Sequence, residues 1–259
     1  MRTATLKWIV AAALAAVRCH SPAPDQTTPL ETHLPDDRTT LITCRYAGHE
    51  GIRELPASTA GTYHYRVYIP SGYSRETTTH YPCIFISDPS GHASLGTLGR
   101  FIQRERWIAL MLVEARNGPW GPVLGNFLAA HDDAMRRLRC NPRLKYATGV
   151  SGGARGSSVY TMLRPGFAGL LLQAGGFPSA VQVFRPLSPE LAVYATFGDQ
   201  DPNLKDDLWY LKELRLPFKH EVFAGGHQPA PSQVVEHAFA WFKEQRHPGA
   251  SRPRPRKSP

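Results

Sequence analysis

The sequence predicts an α/β fold in which a mostly parallel central sheet is covered by helices on both faces. The first observation behind this prediction is that apolar runs of roughly four to eight residues alternate with segments long enough to form helices. The second is that three of these runs end in glycine-containing turns that carry a serine, an aspartate and a histidine, in that order. The 259 residues leave room for one large domain of this kind or two small ones.

Apolar runs bounded by turn residues define the predicted strands. In chain order they are Leu41–Tyr46, Tyr63–Ile69, Tyr81–Ser87, Trp107–Val113, the run that begins at Lys145, Gly169–Leu172, Leu191–Phe197 and His220–Phe223. Because these runs are short, nearly continuous and separated by helix-length segments, most of the strands should lie parallel to one another.

Segments with helical periodicity lie between the strands. They are at about Leu95–Arg106, Asn126–Leu138, the residues after Gly153, and Gln233–Glu244. Asn126 is expected to be the N-cap of its helix, after a loop rich in glycine and proline at 114–122. Asp206 and Asp207 are expected to be solvated at another helix start. Residues 175–190 are too few for a helical lid, so we expect an open cleft.

The two ends of the chain are predicted to lie outside the folded domain. Residues 1–19 have the charged start and short apolar segment of a cleavable signal peptide, and that segment is too short to span a bilayer. Residues 20–40 follow as a linker, the domain covers residues 41–246, and residues 247–259 form a basic, proline-rich tail that should be disordered. We therefore expect export, to give a secreted or periplasmic protein. A lipid anchor on Cys19 is the alternative.

The net charge of +9 is concentrated at the ends of the chain. Residues 1–20 carry three basic and no acidic side chains, and residues 247–259 carry four basic and no acidic ones. The domain between them is therefore close to neutral. This distribution argues against a nucleic-acid partner, because a nucleic-acid groove needs basic residues clustered on one face.

The four cysteines of the chain fit an exported protein. Cys83 and Cys140 lie at the starts of two strands that are predicted to be neighbours, so we expect a disulfide between them. Two buried free thiols are the alternative. Cys44 has no evident partner in the sequence.

The segment that carries the chemistry is the pentapeptide Gly149-Val150-Ser151-Gly152-Gly153, which follows an apolar strand and opens a helix. A G-x-S-x-G sequence in this context is typical of the nucleophile elbow of α/β-hydrolases, where a sharp turn exposes the serine hydroxyl. The glycines two residues before and after the serine avoid a collision where the strand and helix cross. The alternative is a plain strand-to-helix turn with an incidental serine.

An aspartate and a histidine follow Ser151 in the chain order of the α/β-hydrolase triad. His227, after a strand and two glycines, is the predicted base, and Asp201 is favoured over Asp199 as the acid that orients it. The chain has 11 histidines, of which His92 is the one rival for the role of base. Two histidines in predicted helices are expected to be structural or solvated: His131 and His237.

An oxyanion hole needs two hydrogen-bond donors. The N–H of Gly152 is expected to be one, and the second should come from the loop after the Tyr81–Ser87 strand. Ser90 is the expected donor there, with Gly91 as the alternative, because Pro89 has no N–H. Trp120 is expected to form a wall of the substrate-binding cleft.

The segment 141–153 resembles the elbow region of polyhydroxyalkanoate-depolymerase-like and feruloyl-esterase-like α/β-hydrolases. The similarity in element order extends over about residues 62–245, with one departure: Asp88-Pro89 stands where this family usually has His-Gly. The resemblance implies an α/β-hydrolase fold and an exported enzyme that hydrolyses carboxylic esters without a metal. We expect no lid domain, because residues 175–190 are too few, and no cofactor.

These observations together predict a serine esterase that works through an acyl-enzyme on a small or polymeric ester. Ser151 would be the nucleophile, His227 the base and Asp201 the orienting acid. The alternatives are a peptidase or an acyltransferase on the same triad, or an inactive binding protein of the same fold.

Overall fold

The computed structural model of the protein describes residues 34–48, 59–178, 187–213 and 216–246. The predicted signal peptide, the first part of the predicted linker and the predicted tail lie outside these residues. So do residues 179–186, which belong to the short segment from which we expected no lid. None of the helices within the described ranges combines the length and the apolar content that a membrane span requires.

The strands lie close to their predicted positions. They are β1 (Thr39–Tyr46), β2 (Gly61–Tyr68), β3 (Tyr81–Ser87), β4 (Ile108–Leu112), β5 (Cys140–Val150), β6 (Phe167–Gln173), β7 (Ala192–Gly198) and β8 (Phe218–Phe223). In the described part of the chain they form one eight-stranded sheet in the order β1-β2-β4-β3-β5-β6-β7-β8. β2 is antiparallel to both of its neighbours, and the other pairs are parallel. The predicted mostly parallel sheet is confirmed.

Helices cover both faces of this sheet, as the sequence predicts. They are α1 (Gly99–Glu105), α2 (Trp120–Arg137), α3 (Gly152–Leu163), α4 (Leu204–Glu213) and α5 (Ser232–Arg246). Alternate residues of a strand point to opposite faces, so Phe85 of β3 packs with α2 and α3, whereas Ile84 and Ile86 pack with α1 and α5. The two resulting apolar clusters enclose the central strands.

The helix α2 begins six residues earlier than predicted, at Trp120 with Pro119 at its N-cap. Its first turn contains Pro122, which a helix accepts there because N–H groups of the first turn have no intrahelical partner. Asn126 is therefore not an N-cap but a buried residue inside the helix.

The buried side chain of Asn126 joins α2 to the sheet and to the loop after β4. Its Oδ1 accepts hydrogen bonds from the N–H groups of Glu114 at 3.0 Å and Ala115 at 3.1 Å. Its Nδ2 donates to the carbonyl oxygen of His64 at 2.8 Å. This asparagine fixes the start of the loop that leads into α2.

The predicted disulfide between Cys83 and Cys140 is wrong, because both are free, buried thiols in the structure. An irregularity in the pairing of β3 with β5 sets Cys140 opposite Tyr81, while Cys83 lies opposite Lys145. The two cysteines are thus not directly opposite each other. A hydrogen bond between the two thiols, together with burial, raises the pKa of Cys140 well above its usual value.

The folded domain starts earlier than residue 41, within the segment that the sequence analysis assigns to a linker. Leu34 is buried, and the N–H of Asp37 donates to the carbonyl oxygen of Ile69 at 2.8 Å. The hydroxyl of Tyr68 donates to Asp37 Oδ1 at 3.0 Å. Residues 34–40 are therefore part of the domain.

Candidate active site

Ser151 lies directly after β5 and caps α3 with φ 54° and ψ −119°. A non-glycine residue rarely has a positive φ, and such strain is concentrated at functional sites. The N–H of Ser151 donates to the carbonyl oxygen of Gln173 at the end of β6, at 2.8 Å, and this bond holds the turn against the sheet. The backbone is thus a sharp strand-to-helix elbow with the serine at its tip.

The glycines on either side of Ser151 are required by the close crossing of β5 and α3. A Cβ atom on Gly149 would lie 2.3 Å from the carbonyl carbon of Gly153. A Cβ atom on Gly153 would lie 2.6 Å from the carbonyl oxygen of Ser87. Both distances are too short for carbon contacts, so the steric reason for the predicted G-x-S-x-G pattern is confirmed.

Asp201 and His227 meet beyond the ends of β7 and β8. The distance from His227 Nδ1 to Asp201 Oδ1 is 3.1 Å, and the aspartate side chain is 0% exposed while the imidazole is 37% exposed. The N–H of Asn203 also donates to Asp201 Oδ1, at 2.9 Å. With a proton on Nδ1 donated to the carboxylate, Nε2 of the partly exposed imidazole is left as a proton acceptor.

Asp199, the alternative acid, has a different role in the structure. Its Oδ1 accepts a hydrogen bond from the N–H of Gly225 at 2.9 Å, and its own N–H donates to the carbonyl oxygen of Phe223 at 2.8 Å. It therefore supports the loop that carries His227 without pairing with the imidazole. The structure brings Asp201, and not Asp199, to the histidine.

The other histidines that the sequence analysis considered lie apart from this pair. His92 is exposed and makes no hydrogen bond with any residue that the structure describes. His131 is buried beside Asp132, with 2.9 Å between Nδ1 and Oδ1, and His237 pairs with Glu221 on the surface, at 3.1 Å.

Ser151 and His227 lie at the same edge of the sheet, because β5, β6, β7 and β8 are adjacent and parallel. A chain of contacts connects them: Gly175 packs on the carbonyl of Ser151, and the Asn203 side chain lies 3.5 Å from the carbonyl oxygen of Ala174 and 3.4 Å from His227 Nδ1. Both residues are described in the structure, and no hydrogen bond joins the hydroxyl of Ser151 to the imidazole of His227. Catalytic hydrogen bonds are often long without substrate and shorten when it binds.

The chain is similar to known proteins in its three-dimensional structure, whereas no similarity is found at the level of sequence. Neither a protein-family model nor a curated protein sequence matches the chain. The solved carboxylesterase EstE1, cloned from a metagenomic library, matches with a TM-score of 0.59 and 13% identity, over 82% of this chain and 90% of its own.

Two further solved structures agree. FphF, a fluorophosphonate-binding serine hydrolase of Staphylococcus aureus, has a TM-score of 0.56 and 15% identity over 79% of this chain and 98% of its own. A ferulic acid esterase has a TM-score of 0.52 and 12% identity over 80% of this chain and 96% of its own. The chain has the α/β-hydrolase fold. At these identities the likeness establishes the architecture and not the substrate.

In an α/β-hydrolase the second oxyanion donor is expected in the loop after β3. The N–H of Ser90, the residue that the sequence analysis favours, donates instead to Asp88 Oδ1 at 2.8 Å, and the Ser90 hydroxyl donates to the same oxygen. The N–H of Gly91 donates to the carbonyl oxygen of Asp88 at 3.1 Å. Since Pro89 has no N–H, none of the three residues after Asp88 offers an uncommitted backbone donor in the structure.

A pocket of about 140 Å³ opens beside the first turn of α3. Its walls come from the loop after β4, the start of α2 and the elbow, and include Arg116, Asn117, Trp120, Gly152, Arg155 and Tyr160. Trp120 lines this pocket, and it belongs to a helix and not to the loop in which the sequence analysis places it. A larger pocket, of about 630 Å³, lies at the opposite edge of the α/β-hydrolase sheet, around Phe167 and Pro217.

An ion pair between Arg155 and Asp207, beside the 140 Å³ pocket, was not expected from the sequence. Asp207 is buried rather than solvated, and its carboxylate accepts hydrogen bonds from the Arg155 guanidinium at 3.2 Å and 3.3 Å. Burial raises the pKa of Asp207, and the neighbouring guanidinium opposes that shift. The pair fastens the first turn of α3 to α4, and its partners are too far apart in the chain for the sequence to have suggested it.

Proposed function

We propose that the protein is a serine hydrolase that cleaves carboxylic esters through an acyl-enzyme. The observation that carries this proposal is the pair formed by buried Asp201 and exposed His227, at the same sheet edge as the strained Ser151. The similar solved structures are described as a carboxylesterase, a ferulic acid esterase and a fluorophosphonate-binding serine hydrolase, which supports this reaction class.

The mechanism follows from the roles of these three residues. His227 Nε2 accepts the proton of the Ser151 hydroxyl as its oxygen attacks the ester carbonyl, and Asp201 stabilises the resulting imidazolium. The negative charge that develops on the carbonyl oxygen is stabilised by the N–H of Gly152 at the start of α3, where the helix dipole also favours an anion. The imidazolium then protonates the leaving alcohol, and water releases the acid in the same way.

The size of the pocket beside the elbow indicates how large one group of the ester substrate can be. A volume of about 140 Å³ is similar to that of an engineered cavity that binds benzene, so one group of the ester should be a short chain or a single ring. Trp120 would contact this group as an apolar wall. With a series of p-nitrophenyl esters, we expect acetate and butyrate to be preferred to longer acyl chains. Trp120→Ala should raise KM more than it lowers kcat.

We also propose that the protein is exported, because the first 19 residues have the sequence pattern of a cleavable signal peptide. Mass spectrometry of the mature protein should find these residues removed, and an intact N-terminus would contradict export.

The test of the proposed function uses a fluorophosphonate probe together with ester turnover. The wild type should be labelled and active, whereas Ser151→Ala should fold, remain unlabelled and lose kcat by several orders of magnitude, as a catalytic serine contributes on the order of 10⁶ in another serine hydrolase. Ser158→Ala is the matched control, because Ser158 lies in the same helix and its hydroxyl donates only to the local carbonyl of Arg155, at 2.7 Å. Labelling or turnover by Ser151→Ala would contradict the proposal.

A further inference from the structure

The stabilisation of an oxyanion requires a second donor besides the N–H of Gly152. The two donors expected in the turn after β3 are committed in the structure, because the N–H groups of Ser90 and Gly91 are both bonded to Asp88, and Pro89 has no N–H. A donor from another part of the site is therefore needed, at a position next to Gly152.

The side chain of Asn117 occupies that position. A Cβ atom built on Gly152 would lie 1.8 Å from Asn117 Oδ1 and 3.3 Å from Asn117 Nδ2, so the carboxamide lies directly against the backbone that carries the first donor. Both residues line the same pocket. The carboxamide makes no hydrogen bond with any residue in the described part of the chain, so its N–H groups are available.

The backbone around Asn117 is held on two sides. Its own N–H donates to the carbonyl oxygen of Pro89 at 2.8 Å, which joins the loop after β4 to the loop after β3. The preceding N–H groups of Glu114 and Ala115 are bonded to the buried Asn126. A donor on a fixed backbone loses little free energy to reorganisation when charge develops.

We propose that the side-chain amide of Asn117 donates the second hydrogen bond to the oxyanion that forms when Ser151 attacks an ester. This inference rests on the proposed function. The terminal torsion of an asparagine is broad and two-fold, so rotation exchanges Oδ1 and Nδ2 next to Gly152 without moving the backbone. The developing negative charge selects the orientation in which Nδ2 faces it.

The experiment compares Asn117→Ala and Asn117→Asp with the wild type. Loss of one oxyanion donor costs about 10²–10³ in kcat, so Asn117→Ala should lower kcat by that factor while KM stays within a few-fold. Asn117→Asp has the same shape, but its carboxylate repels the oxyanion, so it should be the slower of the two. Asn141→Ala is the matched control, because Asn141 lies at the opposite edge of the sheet, where its Oδ1 accepts the N–H of Arg143 at 3.0 Å.

A trifluoromethyl ketone, which forms a tetrahedral adduct with a serine, separates a catalytic role from a structural one. The inhibitor should bind Asn117→Ala about 10²-fold more weakly, while the thermal unfolding midpoint of the variant stays close to that of the wild type. An Asn117→Ala variant with kcat and inhibitor affinity within about three-fold of wild type would overturn the proposal. An increase of kcat in Asp88→Ala alongside that result would identify Ser90 as the donor. A wild type without fluorophosphonate labelling at Ser151 would overturn the proposed function itself.

Discussion

Two histidine–aspartate pairs of similar geometry lie in this molecule, and their surroundings differ in one decisive respect. His227 Nδ1 is 3.1 Å from Asp201, and His131 Nδ1 is 2.9 Å from Asp132. In the first pair the carboxylate is 0% exposed and the imidazole 37%, whereas in the second the carboxylate is 41% exposed and the imidazole 9%. The exposed and buried partners are thus exchanged.

The second nitrogen of each imidazole shows what this exchange means. Nε2 of His131 lies 3.2 Å from the Lys145 ammonium group, and its ring is stacked on Phe85 with 5.5 Å between centroids. Nε2 of His227 makes no hydrogen bond with any described residue, and the imidazole is 37% exposed. A histidine–aspartate contact therefore does not identify a catalytic site. A general base also needs an accessible ring nitrogen, and of these two histidines the proposed base His227 has the more exposed imidazole.

The largest expected effect separates the two histidines. His227→Gln should lower kcat on p-nitrophenyl acetate by a factor on the order of 10⁶ with little change in unfolding temperature, because it removes the base. His131→Gln should keep kcat within a few-fold and lower the unfolding temperature, since it disturbs a buried network. Loss of turnover in a folded His131→Gln protein would mean that the distinction between the two pairs is wrong.

The next effect compares the two acidic residues beside β7. Asp201→Asn should lower kcat by about 10⁴, because an amide next to His227 Nδ1 favours the wrong tautomer. Asp199→Asn keeps an oxygen that can accept the N–H of Gly225, so its kcat should fall by less than about ten-fold. Steady-state kinetics of both purified variants is the measurement, and the reverse order would move the role of orienting acid to Asp199.

The smallest effect is a pH dependence of stability that belongs to His131. Burial, helped by the nearby Lys145 ammonium, lowers the pKa of His131 from 6.5 to about 4, against the hydrogen bond with Asp132. As the pH falls, His131 is therefore protonated in the unfolded chain before it is protonated in the folded one. Its contribution to the free energy of unfolding is complete above about pH 6.5 and is lost as the pH falls towards 4. The free energy of unfolding falls by roughly 3 kcal/mol across this range. Each kcal/mol corresponds to about 2–4 °C of unfolding temperature for a domain of this size.

The control for this effect is His131→Gln, which has no imidazole to protonate. Other groups around His131 also titrate or carry charge: hydrogen bonds from His131 and Arg164 hold the pKa of Asp132 far below its usual 3.8 against the effect of burial, so its contribution is lost only at more acidic pH. The difference between wild type and variant should thus decrease between pH 6.5 and 4. A difference that stays constant across this range would contradict the assignment.

The elbow could be predicted from the sequence because its determinants are local. Gly149, Ser151 and Gly153 lie within five consecutive residues, and the steric requirement on them acts between a strand and the helix that follows it directly. The start of α2 was missed for an equally local reason. Gly121 and Pro122 indicate a loop in most contexts, but a helix accepts them in its first turn.

The remaining features depend on contacts between distant parts of the chain. Asn126 reaches the carbonyl of His64, 62 residues away, and nothing near it in the sequence indicates this partner. The position of Asn117 against Gly152 is of the same kind. The disulfide between Cys83 and Cys140 was expected because they lie at the starts of two neighbouring strands. The irregularity in the pairing of these strands leaves no mark in the sequence.

The hydrogen bonds that the Asn126 side chain makes with the loop after β4 also bear on how this protein could acquire new specificities. It fixes the loop at residues 114 and 115, and α2 fixes it again at Trp120, so only residues 116–119 lie between two rigid supports. Positions 116 and 118 line the pocket beside the elbow, position 119 lines a neighbouring pocket that also includes Pro89 and Ser90, and none of the three belongs to a strand. A combinatorial library at these positions, with Asn117 kept, would sample different binding walls on an unchanged scaffold. The segment is a natural place for divergence and for directed evolution.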